Sequence, residues 1–234
     1  MTADRPDLLG LQEMQAWTYD PIEKGLGPTY RCVGMAESGG GDGLITPIFY
    51  RADRFELTAW NQFWLSDRPR EIGSVSWGNT RPRTAVWARF RDRVSGTEFA
   101  HVNTHLDHVI TQATVKGAQL IVDTLQQFHF SGLPTITTGD FNSVAKQSPA
   151  YDVLVDSFGL KDSWLSAEEQ LSPGWGTFPH FEDVRESEFR IDWILLSSGV
   201  RVLDATIDGF RPGGIFPSDH LPVRARVELP GNAP

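Results

Sequence analysis

Cysteine is nearly absent from this chain of 234 residues. Cys32 stands alone, so no intramolecular disulfide can form and nothing in the fold depends on an oxidising compartment. With no histidine motif attached to it, Cys32 reads as a small buried residue beside Val33 rather than a catalytic thiolate. Long apolar runs are missing too. None approaches the roughly 20 residues of a membrane-spanning helix, and residues 1–20 lack the charged-then-apolar order of a signal peptide. A soluble, cytoplasmic protein without membrane insertion is expected, with secretion reopened if a segment precedes Met1. A third shortage is basic charge. The formal net charge is −9 and there is no Lys/Arg block of the kind that holds a nucleic-acid backbone. The nearest approach is Arg68-Pro69-Arg70 with Arg81-Pro82-Arg83 and Arg89, Arg91 and Arg93, whose plain reading is solvated strand faces. Single arginines can still hold one or two phosphates, so the charge argues against a processive nuclease more than against an enzyme of small or short phosphoesters.

What is present is enough for a core, since 40% of the residues are hydrophobic. No linker, repeat or low-complexity block divides the chain, and Ser38-Gly39-Gly40-Gly41-Asp42-Gly43 reads as a loop. Short apolar runs separated by turn signals predict strands near Leu8–Leu11, Ile48–Tyr50, Ala85–Phe90, Phe99–Asn103, Thr135–Thr138, Asp192–Leu196 and Val223–Val227. Between Gln112 and Phe128, apolar residues at Val115, Ala118, Ile121, Val122 and Leu125 have the spacing of an amphipathic helix. A β-rich α/β architecture follows.

The chemistry gathers where strands end. Leu133-Pro134-Thr135-Ile136-Thr137-Thr138 reads as a buried strand that delivers Gly139-Asp140-Phe141-Asn142 at its carboxyl end, with Phe141 turned into the core. Read locally, Asp140 and Asn142 are equally an Asx turn. Ser218-Asp219-His220-Leu221-Pro222 puts a carboxylate beside a histidine near the C-terminus; adjacent side chains on an extended segment diverge. Asp7-Leu8-Leu9-Gly10-Leu11-Gln12-Glu13 closes a strand on a glutamate that also suits the start of a helix. Val102-Asn103-Thr104-His105-Leu106-Asp107 delivers a histidine, and Asp192 sits among apolar neighbours in Arg190-Ile191-Asp192-Trp193-Ile194, where an unpaired carboxylate is unfavourable. Oxygen ligands at strand ends suit a hard divalent cation that keeps positions open for water and phosphate.

Taken in order, LQE, NTH, GDFN, RIDWI and SDHLPV resemble the motifs of the endonuclease/exonuclease/phosphatase superfamily, metal-dependent phosphoesterases that share the fold of pancreatic deoxyribonuclease. Pro47-Ile48-Phe49-Tyr50-Arg51, Phe63-Trp64-Leu65-Ser66 and Thr84-Ala85-Val86-Trp87-Ala88-Arg89-Phe90 are similar to a bacterial branch related to deadenylases. The resemblance runs from Asp7 to about Glu228 and implies a four-layer sandwich, two mixed β-sheets flanked by helices, as a single domain over 1–234. It implies Mg²⁺, with Mn²⁺ as a substitute, held by Glu13 and Asp219. It also implies catalytic roles for His105, Asp140, Asn142, Asp192 and His220, and substrate contacts from Asn103 and Arg83. Asp140 and Asn142 would orient the attacking water and contact the phosphate. Asp192 would fix the tautomer of His220, which acts as general base or electrostatic clamp.

The chain departs from the family pattern in places. A first strand ending in asparagine and the helix after it are not found before the LQE strand, which is expected to expose strand edges and lower solubility. Thr114 and Gly43-Leu44 replace an arginine and a Gly-Glu pair at the rim. The expected activity is hydrolysis of a phosphodiester or phosphomonoester by in-line attack of water, on a small molecule or short nucleic acid, by a monomer. DNA, RNA, phosphoinositide, sphingomyelin and sugar phosphates all remain open. The alternative is a non-catalytic remnant of the same fold that binds phosphate or a partner.

Overall fold

A computed structural model describes residues 5–187 and 189–231. The chain opens with β1 (Leu8–Gly10), α1 (Tyr19–Leu26), β2 (Tyr30–Val33), β3 (Ile48–Arg51), β4 (Phe55–Trp64), β5 (Thr84–Asp92) and β6 (Glu98–His105). The long helix α2 (Thr111–Phe130) leads to β7 (Thr135–Asp140), then α3 (Pro149–Tyr151), which runs into a π-helical stretch over Asp152–Ser157. Short pieces follow: β8 (Lys161–Asp162), α4 (Ser163–Ser166) and β9 (Glu169–Gln170). The chain closes with β10 (Asp192–Leu196), β11 (Arg201–Ile207) and β12 (Val223–Glu228).

Six strands form one mixed sheet in the order β4-β5-β6-β7-β10-β8, with β6 and β7 parallel and the other neighbours antiparallel. Alternation sends its side chains to two different cores. Ala85, Val102, Trp193 and Leu195 meet Ala118, Ile121, Val122 and Leu125 of α2 on one face. Val86, Ala88, Phe90, Ile136 and Leu196 pack on the other face against a second β layer. That layer is made of two smaller sheets, β1-β3-β2 and β12-β11-β9. Leu8 and Tyr50 from one and Val202, Ala225 and Val227 from the other enter the same cluster. Within these sheets β1 pairs only with β3 and β12 only with β11, so each has one edge without a partner strand among the described residues. Helix α1 covers the outside of the first small sheet, where Leu26 and Ile22 join Met14, Tyr30 and Phe49. The result is the expected α/β/β/α layering.

Helix α2 is slightly longer than its apolar spacing predicts and buries the expected Ala118, Ile121, Val122 and Leu125. The tryptophans divide between core and surface: Trp193 is 1% exposed and Trp17 is 73% exposed. Among the described residues no helix is long and apolar enough to cross a membrane.

Candidate active site

Strand register builds the centre of the site. His105, the last residue of β6, pairs with Asp140, the last residue of β7, and Asp140 pairs in turn with Asp192, the first residue of β10. Directly opposed residues share a face of the sheet, so three polar side chains line up across three neighbouring strands. Gly139 allows the close approach of β6: a Cβ there would stand 2.5 Å from the Thr104 carbonyl oxygen. Beyond Asp140 the chain turns sharply, with Phe141 fully buried and stacked on Trp193 at 4.3 Å between ring centroids. Asn142 takes the left-handed conformation, φ 47°, which asparagine tolerates better than most residues.

The two oxygens of Asp140 divide the work. Oδ1 accepts the Asn142 amide at 2.8 Å, forming the Asx turn. Oδ2 lies 3.4 Å from His105 Nε2 and 3.9 Å from His220 Nε2. The turn and the polar cluster therefore coexist in one residue. Burial, and then the charge of Asp192, push the Asp140 carboxyl up to about 7 against the opposing pull of His220, the Asn142 amide and Arg83.

His220 comes from the loop before β12. Its Nδ1 is 2.8 Å from Asp192 Oδ2, its backbone amide donates to Ser218 Oγ at 3.1 Å, and its ring packs 4.6 Å from that of Phe178. Burial alone would lower its affinity for a proton. The Asp192 hydrogen bond and the charges of Asp192, Asp140 and Asp219 together outweigh it and raise His220 to about 9. His105 goes the other way. It is 4% exposed, and burial, helped by Arg83, His220 and His108, holds it well below the ordinary histidine value, so the ring is neutral. Arg83 Nη1 lies 3.0 Å from His105 Nδ1, and Nη2 lies 2.8 Å from His108 Nδ1.

The other candidate residues are placed as follows. Asn142 is half-buried and its side-chain amide donates to the Leu106 carbonyl at 2.9 Å. Glu13 is exposed, has φ 54°, and lines a cavity of about 370 Å³ together with Arg81, Arg83, Asp107 and His108. Asp219 is half-buried beside His220, and Ser218 Oγ is 3.4 Å from its Oδ1. Asn103 lies apart from this group. It is completely buried; its amide donates to the Leu11 and Pro47 carbonyls, and its Oδ1 accepts from Gln12 Nε2 and Thr138 Oγ1. Asn103 thus ties β1 to the large sheet, and no hydrogen-bonding group is left over for a substrate.

Three contributors carried no signal that singled them out. Thr177 Oγ1 accepts the backbone amides of Ile191 and Asp192, setting where Asp192 begins, while Phe178 holds the His220 ring. Both lie in a Gly/Pro-rich stretch that reads only as a turn. Glu37 is 9% exposed, and burial raises its carboxyl to about 7. In the sequence it is one more polar residue before a glycine cluster.

Asp140, Asp192 and His220 each offer one ligand atom, and these atoms lie within 4.8 Å of one another; Glu13 and Asp219 fall outside that group. Two neighbouring carboxylates, one largely buried and already resisting ionisation, form a place where a divalent cation relieves like-charge repulsion. The carboxylates of this group therefore fit Mg²⁺ or Mn²⁺, while His220, charged up to about 9 and hydrogen-bonded to Asp192, does not serve as a ligand.

With that geometry in view, the likenesses to known proteins are informative. The model of the Endonuclease/Exonuclease/phosphatase family matches residues 1–220, and the chain belongs to that family. It is 31% identical to a mannosyl-6-phosphatase of Bacteroides thetaiotaomicron, with a TM-score of 0.87 over 95% of this chain and 85% of that one. A family member from Bacteroides vulgatus is 33% identical with a TM-score of 0.88, over 95% and 85% of the two chains. Protein angel of Drosophila melanogaster is 32% identical over 211 residues, which is 84% of this chain and 56% of that protein. The chain thus spans little more than half the length of that relative.

Proposed function

We propose that the chain is a divalent-metal-dependent phosphoesterase that hydrolyses its substrate by in-line attack of water beside Asp140. The observation that carries this reading is the in-register row His105, Asp140, Asp192, completed by His220 on Asp192 at 2.8 Å. Such a row has an acceptor for a proton, a cation for a phosphoryl oxygen, and a carboxylate that keeps the cation charged.

Asp140 Oδ2 takes the proton of the attacking water. A carboxyl raised to about 7 is a better base at neutral pH than an ordinary aspartate and is still largely ionised above that value. His220, charged up to about 9 through Asp192, donates from Nε2 to a non-bridging phosphoryl oxygen and acts as the electrostatic clamp of the two roles left open by the motif. Neutral His105 donates a hydrogen bond without adding a second positive charge, and Asn142 positions the phosphate from the turn. Bound Mg²⁺ or Mn²⁺ supplies Lewis acidity toward the phosphoryl group and the leaving oxygen. Glu13 and Asp219 are the residues that would hold it, as the motifs imply, leaving Asp140 and His220 to the proton and the phosphate.

For the substrate, the net charge of −9 disfavours long polyanions. The 31% identical relative described as a mannosyl-6-phosphatase supports a small phosphomonoester such as a sugar phosphate. The test is hydrolysis of mannose 6-phosphate and of bis-p-nitrophenyl phosphate by the purified chain with Mg²⁺ or Mn²⁺ and with EDTA. Turnover that requires the cation supports the proposal; equal turnover in EDTA, or none on any phosphoester, refutes it and leaves the non-catalytic phosphate-binding module.

A further inference from the structure

A run of side-chain hydrogen bonds lies deeper than the catalytic row, between the two β layers, and has no place in that chemistry. On the sheet face that carries His105 and Asp140, Asn103 pairs with Thr138, and His101 stands two residues further back on β6. Thr138 Oγ1 donates to Asn103 Oδ1 at 2.9 Å and is itself 2.8 Å from His101 Nε2. Asn103 Oδ1 also accepts from Gln12 Nε2 at 2.9 Å. The directions follow from the groups. An amide oxygen only accepts, so the one hydroxyl proton of Thr138 is spent on Asn103, and His101 donates from Nε2. The His101 ring is 1% exposed and burial pushes it down to about 3, so it is neutral. Its Nδ1 is then a bare acceptor, and it has no partner among the described residues. A hydrocarbon ring would fill that place without the penalty of an unpaired acceptor. What the histidine adds to packing is its one hydrogen bond.

The run ends on the neighbours of Glu13. Asn103 gives its amide protons to the carbonyls of Leu11, at 2.8 Å, and Pro47, at 2.9 Å. β1 approaches this closely because residue 10 is glycine: a Cβ there would stand 2.5 Å from both Asn103 Oδ1 and Thr138 Oγ1. Leu11 by its carbonyl and Gln12 by its side chain are thus tied to Asn103. On the far side, Met14 exchanges both backbone hydrogen bonds with Ile45, at 3.1 and 2.7 Å. Between these anchors Glu13 is exposed and left-handed, φ 54°. A glutamate keeps that conformation only where its surroundings enforce it. Here both neighbours do.

Resting on the reading of Glu13 as a ligand of the divalent cation, we propose that His101, Thr138, Asn103 and Gln12 are positioning residues for that cation, a hydrogen-bonded chain that sets the Glu13 turn, and with it the place of the carboxylate, from inside the sandwich. They act through Glu13 and not on the substrate. Groups that orient a metal ligand without touching the metal typically weaken metal binding by about ten- to a hundredfold when replaced.

The test is Mn²⁺ binding to the full chain, read without substrate from the electron paramagnetic resonance signal of the free ion. Gln12→Met and Thr138→Val should each weaken binding by about tenfold, and Thr138→Ser, which keeps the hydroxyl, should bind nearly as the wild type does. Glu13→Gln should weaken binding as well, and adding Gln12→Met to it should cost nothing more, because the chain then has no carboxylate to place. Activity lost by Thr138→Val at low Mn²⁺ should return as Mn²⁺ is raised, which a merely damaged fold would not show. Unchanged affinity in both Gln12→Met and Thr138→Val overturns the proposal. So do losses that add in full on top of Glu13→Gln, or a Glu13→Gln variant that binds Mn²⁺ like the wild type. If Thr138→Val fails to fold by circular dichroism, half-buried Gln12 decides alone. The expected coupling in a chain that hydrolyses no phosphoester upholds the positioning chain and refutes the catalytic reading.

Discussion

Replacing Asp192 by asparagine keeps the shape of the catalytic row and removes the group that charges His220. The hydrogen bond from Nδ1, 2.8 Å in the native protein, can still be accepted by an amide oxygen, but the negative charge is gone. His220 should then fall from about 9 toward its ordinary 6.5, or lower because the ring is partly buried. At pH 8 the charged fraction drops from about nine-tenths to about three-hundredths. If His220 works as a charged clamp, kcat/KM at pH 8 therefore falls about thirtyfold, equivalent to about 2 kcal/mol of transition-state stabilisation. The same substitution removes the like charge that helps raise Asp140, so the acidic limb of the profile should also move to lower pH. The assay is kcat/KM for bis-p-nitrophenyl phosphate from pH 5 to pH 10 in saturating Mg²⁺. The wild type should lose activity above about 9, and the variant should lose it at least two units earlier, recovering much of its rate near pH 6. A variant that is faster at pH 8, or an alkaline limb that does not move, refutes the clamp and makes neutral His220 the base.

Three further outcomes follow from the same geometry. Asp140→Asn and His220→Ala should each lower kcat by at least about a hundredfold, the scale for a positioned proton acceptor or charge, while circular dichroism spectra stay native. Asp140 binds its proton more tightly folded, about 7, than unfolded, 3.8, so in EDTA native stability should fall as pH rises across that window; urea titrations should show a shallower slope in Asp140→Asn than in the wild type, with Glu37, also raised to about 7, supplying the remainder. Gly139→Ala should lower the urea midpoint by the equivalent of about 1–3 kcal/mol and reduce activity as well, because its Cβ would press on the rigid Thr104 carbonyl oxygen at 2.5 Å and on Thr104 Cγ2 at 2.8 Å.

The strand ends that gather the polar cluster were legible because motif and local physics agree there. A β-branched run closing on Gly139-Asp140-Phe141-Asn142 reads as a strand and a turn, and both are present. Strand pairing was not legible. Nothing in the order of residues says that Asp140 lies between His105 and Asp192, a fact of register that follows only from the sheet. Asn103 shows the reverse hazard: two places before His105 it shares that face of the sheet, but it lies deeper along β6, where its hydrogen bonds brace the end of β1 instead. The elements that went unread have specific causes. β4 and β11 each contain a register shift, after Leu57 and after Val202, that breaks the period of two. Helix α1 carries Pro21 and Gly25, which signal a turn in a sequence, although proline is tolerated in a first helical turn. Arg83 looked like part of a solvated strand face and is buried, because the chain just before β5 turns its side chain toward two histidines.

The most direct measurement is the fate of isotopic oxygen. Hydrolysis of a phosphomonoester in ¹⁸O-labelled water with Mg²⁺ present, followed by mass spectrometry of the products, should place one labelled oxygen in the phosphate and none in the alcohol, with no release in EDTA and release slowed by at least about a hundredfold in Asp140→Asn. Label in the alcohol, or undiminished release by Asp140→Asn or in EDTA, would contradict attack of water on phosphorus at this site.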